Sequence, residues 1–129
     1  MEKVMIKKVG EAPQVIEVEE ITLKYMQEVV GGWIEMPYLS EALDSRKIDI
    51  VINEEGKLME LEPNILVMNR AEILDVVVGD ILFVANDGEG KTIGLNDTQI
   101  EDLKHAFKYN EVITNRGVFN YIRLEGENI

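Results

Sequence analysis

The residues Ala85-Asn86-Asp87-Gly88-Glu89-Gly90-Lys91-Thr92 spell Ala-x-x-x-x-Gly-Lys-Thr, a loose phosphate-binding loop, directly after the apolar run Ile81–Val84. Such a loop binds phosphate when a helix begins at the Gly-Lys-Thr, so that its backbone N–H groups and dipole point at the ligand. Here Gly94 is a poor helix residue and Asn96 a better start, which sets the helix too late. Asp87 and Glu89 also place two carboxylates where a polyphosphate would sit, a repulsion that one lysine does not offset. Asn-Asp-Gly-Glu-Gly is instead tight-turn chemistry between two strands. Its acids do not recur at the alternating positions of a calcium-binding EF-hand loop. Nucleotide hydrolysis at 85–92 is therefore the least favoured function.

Other reactive groups are sparse. The chain has no cysteine and a single histidine, His105, which argues against Ser–His and Cys–His nucleophile pairs. His105 falls opposite the apolar stripe of its helix and is expected at the surface. Acids are so numerous that a carboxylate pair carries no signal: Glu54-Glu55 reads as a turn, and Glu60 and Glu62 as the wet face of a strand. Trp33 is more informative. Strand alternation sets Trp33 and Glu35 on one face, opposite Ile34 and Met36, so the indole is expected partly exposed beside a carboxylate. Aromatic residues in that setting are enriched at interfaces and ligand pockets. The candidate binding residues are Trp33, Glu35, Asn53, Asn64, Asp87 and Glu89, with Asn53 and Asn64, both at turns, read first as structural. No catalytic residue, metal ligand or cofactor is expected.

The elements that would position these residues follow from periodicity. Residues 3–9 and 14–18 alternate around Gly10-Glu11-Ala12-Pro13 and predict a β-hairpin. Val4, Ile6, Ile16 and Val18 face inward, and Lys3, Lys7, Glu17 and Glu19 face water. In ITLKYMQEVVGG, Leu23, Met26 and Val30 form a helical stripe, with Thr22 as cap and Gly31-Gly32 as stop. A strand is expected at 33–38 and a loop at 39–47. A half-buried strand follows at 48–53, then a turn at Asn53–Gly56 returning through 57–61 until Pro63-Asn64 breaks it. Residues 65–78 fit either a helix or a buried strand. Ile81–Ala85 is a central strand. Residues 97–108 form a helix with Asn96 and Gln99 as a capping-box-like pair and Ile100, Leu103 and Phe107 buried, and 118–124 is a last strand or a clamping tail. The sum is a single α+β domain: a small, mostly antiparallel sheet with two helices packed on it.

Composition narrows the partner. The 129 residues carry 25 acids and 13 Lys plus Arg, a formal net charge of −12. Between Glu54 and Asp102 there are twelve acids and three bases. Such a surface disfavours direct nucleic-acid binding, which draws on basic residues displacing counterions. It fits solubility, or a negative surface that competes with nucleic acid for a basic protein. No run is long and apolar enough to span a bilayer, and the N-terminus lacks a signal-peptide core. The sequence reading is a cytoplasmic protein that binds a protein or small molecule, with no membrane and with self-association left open.

Several short patterns occur in one order: VGGWIE (30–35), NEEGKL (53–58), PN (63–64), GDILFV (79–84), NDGEG (86–90) and LNDTQIEDL (95–103). Together they resemble a family of small bacterial and phage proteins known only as a domain of unknown function. Its members read Val-Gly-Gly-Tyr-Ile-Glu, Asn-Glu-Glu-Gly-Lys-Leu and Pro-Asn, then a Gly-(Asp/Glu)-Gly hairpin and a helix beginning Leu-Thr-Asp. The similarity spans about residues 14–107. Trp33 replaces the family's tyrosine, 39–47 is longer, and 65–78 is more apolar. Family members need no lysine or threonine after the Gly-Glu-Gly. The resemblance implies a non-enzymatic accessory protein of phages and other mobile elements and supplies no catalytic residues. Two narrower roles fit that implication: an anti-defence protein that sequesters a nucleotide signal, and an acidic decoy for a nucleic-acid-binding protein.

Overall fold

The computed structural model describes all 129 residues. Strands β1 (Glu2–Lys7) and β2 (Gln14–Val18) form the expected hairpin, in register from Glu2↔Val18 to Ile6↔Gln14. Helix α1 (Leu23–Val30) starts where the Thr22 side chain accepts from the Tyr25 N–H, and it stops at Gly31, whose φ of 80° is left-handed. Glycine takes that conformation without a Cβ clash. Next come β3 (Ile34–Glu35), helix α2 (Glu41–Ser45), β4 (Ile48–Asn53), β5 (Pro63–Asn69) and β6 (Glu72–Val78). The chain continues with β7 (Ile81–Asn86), β8 (Thr92–Ile93), α3 (Asp97–Tyr109), β9 (Glu111–Thr114) and β10 (Gly117–Arg123).

These strands make two sheets. The first has the order β2-β1-β7-β4-β3, with β8 beside β7, and every pairing is antiparallel. The second has the order β6-β5-β10-β9, with β5 and β10 parallel. The mixed, mostly antiparallel character matches the sequence reading. Its single sheet and two helices are corrected to two sheets and three helices.

One face of the first sheet carries α1. Met26 and Val30 pack there on Val4, Val51, Leu82 and Val84. The other face holds the larger core, where Met5, Ile50, Ile81 and Phe83 meet Ile65, Val67, Val77 and Ile122 of the second sheet. From α2, Ala42 and Leu43 join them; α3 adds Ile100, Leu103, Ala106 and Phe107. The Phe83 and Phe107 rings meet edge-on, 5.5 Å between centroids at 61°. Because both faces are covered, β7 is buried from Ile81 to Ala85. For the same reason β4 buries Val51 as well as Ile48 and Ile50, where a half-buried strand was expected.

Several sequence expectations change for identifiable reasons. Lys7 is not wet: the side of β1 assigned to water faces the second sheet, and Lys7 is 4% exposed. Leu23 is exposed, because only Met26 and Val30 of its stripe lie over the sheet. Residues 39–47 are not all loop, since the Ser40 side chain accepts from the Leu43 N–H and starts α2. The return strand at 57–61 is a run of turns, and Pro63 begins a strand instead of ending one. Residues 65–78 are the β5–β6 hairpin, turning at Arg70 with φ of 58°. Helix α3 has the full capping box: Asn96 Oδ1 accepts from the Gln99 N–H, and Gln99 Oε1 accepts from the Asn96 N–H.

Candidate functional site

Trp33 stands where α1 has just ended and β3 begins. Its carbonyl accepts the Glu54 N–H at 2.8 Å, and the next residues pair as Ile34↔Asn53 and Glu35↔Ile52. The main chain is therefore fixed on both sides of an indole that is 67% exposed. Across the β3–β4 pairing, opposite Ile34, Asn53 is 5% exposed and fully engaged. Its Nδ2 donates to the Val30 carbonyl at 3.2 Å and faces Met59 Sδ at 3.7 Å, and its Oδ1 accepts the Glu55 N–H at 2.8 Å. Asn53 thus ties the end of α1 to the 54–60 turn, a structural clip rather than a contact residue. Gly32 is required beside it, because a Cβ there would lie 2.9 Å from Asn53 Nδ2.

The 54–60 turn folds back toward β6. A Cβ on Gly56 would lie 2.9 Å from Val78 Cγ2, so the turn needs glycine to approach the strand. Between turn, β4 and β6 is a groove of about 210 Å³, lined by Glu35, Leu39, Ile52, Lys57, Leu58 and Asp75 among others. Lys57 Nζ reaches Asp75 Oδ1 at 2.6 Å. That hydrogen bond holds the Asp75 carboxyl below the usual carboxylate range. Of the groove's lining, Leu58, Glu35 and Glu54 are exposed, as are Met59 and Glu55 of the same turn. Exposed apolar side chains thus lie next to exposed acids along this turn.

The structure gathers Trp33, Glu35 and Asn53 but not the other three sequence candidates. Asn64 is 3% exposed; its Nδ2 donates to the carbonyls of Lys7 and Gly79, and its Oδ1 accepts from Lys7 Nζ. It is a buried structural group. Asp87 and Glu89 lie at the other end of β4, since β7 runs antiparallel with Ala85 opposite Ile48. At about 3.4 Å per residue, that is roughly 17 Å away along the strand. Their loop joins β7 to β8 as a hairpin, and α3 starts only at Asp97. Asp87 Oδ1 accepts the N–H groups of Glu89 and Lys91 at 2.7 and 3.1 Å, and Asn86 Oδ1 accepts that of Gly88 at 3.0 Å. The N–H groups of Gly88, Glu89 and Lys91 are thus spent on the loop's own side chains and that of Asp87 on the Lys91 carbonyl, and with no helix starting here no phosphate cradle forms. Those bonds hold the Asp87 carboxyl below its ordinary range. His105 is at the surface as expected, against the Tyr109 ring at 4.7 Å.

Sequence reasoning missed Leu58 and Met59, which a return strand would have turned partly inward. Their only signal was local: three acids and a glycine around them favour turn over strand.

The fold is a small two-sheet α+β domain with an exposed indole beside the β3–β4 pairing. The model of the family described as Domain of unknown function (DUF3846) matches residues 1–108, and the chain belongs to that family. No curated protein and no solved structure matches the chain significantly. No helix is long and apolar enough to cross a membrane.

Proposed function

We propose that the chain is a non-enzymatic accessory protein that binds a basic protein partner through the Trp33 edge. The observation that carries this reading is the indole itself, two-thirds exposed on a backbone fixed by β3–β4 pairing. A rigid aromatic residue loses little conformational freedom on binding, which is why such residues anchor interfaces. Glu35, Glu54 and Glu55 beside it, and the net charge of −12, select a cationic surface. The sequence resemblance supports carriage by a phage or other mobile element. On that background, competition with nucleic acid for a basic protein is the specific role this surface fits better than capture of a nucleotide signal.

The test is affinity capture from bacterial host extract, comparing the wild type with Trp33→Ala and Glu35→Lys. A basic protein should bind the wild type at about 0.15 M salt, be released at about 1 M, and be lost from both variants. An identical set of proteins on all three baits would sink the reading. Trp33 is the only tryptophan, so its emission reports the edge directly. A spectral shift with one nucleotide, and none with the captured protein, would favour signal sequestration instead.

A further inference from the structure

A second, larger opening lies away from the Trp33 edge. It is a cavity of about 800 Å³ bounded by the β1–β2 turn at Val9–Pro13, the approach to β5 at Glu62–Asn64, and the β9–β10 hairpin. Lys7 is part of its wall. The Lys7 ammonium donates to Asn64 Oδ1 at 2.9 Å and to the Lys8 carbonyl at 3.1 Å, both neutral acceptors. An ammonium has three donors, so one N–H is uncommitted, and no carboxylate pairs with Lys7 within 4.0 Å. Asn64 cannot turn away to change this, because its Nδ2 is held by two carbonyls. Burial lowers the Lys7 pKa, and the more distant Glu11 and Asp80 oppose that shift. A buried cation with a spare donor favours a further acceptor in the cavity it lines.

The cavity also borders an unfinished strand edge. β10 pairs with β9 over Gly117–Asn120, but its ladder with β5 begins only at Asn120↔Ile65. Gly117–Phe119 therefore have no strand on the side away from β9. Continuing the register would set Val118 opposite Pro63, and proline has no N–H to give. Val118 and its cross-strand partner Ile113 are 60% and 83% exposed. Among the exposed charged residues lining the opening, Glu11, Glu62 and Glu111 are acidic and Arg116 alone is basic.

We propose that this cavity is a strand-acceptor site for an extended, lysine- or arginine-bearing segment of a partner protein. The segment's main chain pairs with Gly117–Phe119 on the side away from β9, where the β10–β5 ladder has stopped at Asn120↔Ile65 although β5 itself runs on to Pro63. One of its carbonyls accepts the third Lys7 N–H, and its basic side chains meet Glu11, Glu62 and Glu111. Strand addition at an open edge supplies affinity through the main chain and selectivity through alternate side chains. This site stands independently of the Trp33 edge.

The test selects a display library of random dodecapeptides on the full chain, then titrates the enriched peptide into isotope-labelled protein by NMR. Enriched peptides should carry alternating basic residues and shift the amides of Glu62, Asn64 and 117–120 while leaving Trp33 unmoved. Glu62→Lys with Glu111→Lys, both at exposed positions, should weaken binding at least tenfold, and Lys7→Met should weaken it with the fold intact by its amide spectrum. No enrichment, peptides without basic residues, shifts centred on Trp33, or equal affinity for the charge-reversed variant would each overturn the proposal.

Discussion

The two sheets of this chain are built from similarly apolar strands but covered unequally. The first is packed on both faces, by α1 on one side and by the second sheet with α2 and α3 on the other. The second sheet sends Ile65, Val67, Val77 and Ile122 into that shared core. Leu66 and Met68, which face away, are 4% and 5% exposed, yet neither belongs to a core cluster. The residues beside them in the ladder are Val76 and Tyr121 for Leu66, and Ile73 and Arg123 for Met68. Their cover comes from within the sheet. Low exposure therefore means different things in the two sheets: two-sided packing that cannot close over a truncation in the first, and neighbours that can close over a gap in the second.

That contrast can be broken most directly at its centre. Phe83→Ala in β7 should cost about 3–5 kcal/mol in urea unfolding, because the surrounding elements cannot collapse into the space; a loss under about 1 kcal/mol would refute the two-sided packing. Leu66→Ala, equally hidden from solvent, should cost only about 2 kcal/mol, the low end for a buried leucine. Equal losses at the two sites would erase the distinction. Lys7 tests the seam between the sheets through pH. Its folded pKa is lowered by burial, so between that value and the unfolded one the unfolded chain binds more protons, and stability rises with pH. Relative to Lys7→Met, the wild type should gain stability as pH climbs toward about 10.4, the ordinary lysine value. A flat difference would show that Lys7 is solvated.

Two smaller effects probe the rim of the second sheet. The Lys57–Asp75 pair is half-exposed, so Lys57→Met should cost no more than about 0.2–1 kcal/mol at neutral pH. Asp75 has a lowered pKa. Its contribution is present above the unfolded value of about 3.9 and is lost as pH falls through the folded one. Lys57→Met should therefore flatten the acid limb of the stability curve, and an unchanged limb would exclude the linkage. Ile73→Ser, on the bare face, should change stability by about 0.5 kcal/mol or less. A larger loss would mean that the neighbours of Met68 cannot close over the gap that Ile73 leaves.

Local elements were legible and long-range ones were not. The first hairpin, both long helices and their caps follow from alternation, a 3.6-residue stripe, and Thr22, Gly31, Asn96 and Gln99 in fitting places. The turn at 86–90 was legible from its glycines and self-bonding acids. By contrast, Ile65–Val78 is apolar on both sides of its strands, so it carries no period from which to choose strand over helix. Lys7 alternates as a wet residue because nothing nearby in sequence says that a second sheet covers it. The exposure of Trp33 beside Glu35 was readable from pairing parity alone. Asn53 and Asn64 were not readable as buried, because an asparagine at a strand end looks the same in sequence whether it caps a turn in water or clips two elements together.

The parallel strand β10 has a consequence for synthesis. β5 finds its partner 55 residues later along the chain, at Asn120↔Ile65, and beyond residue 108, where the family match ends. While the ribosome makes the intervening stretch, β5 has only β6 beside it. One edge of β5 stays open until β10 arrives, and the core that Ile65 and Val67 share with the first sheet lacks Ile122. A contact spanning that distance is slow to form because the loop-closure entropy must be lost first. The nascent chain is most open to mispairing in this interval, when its first sheet has all its strands and its second has half of them.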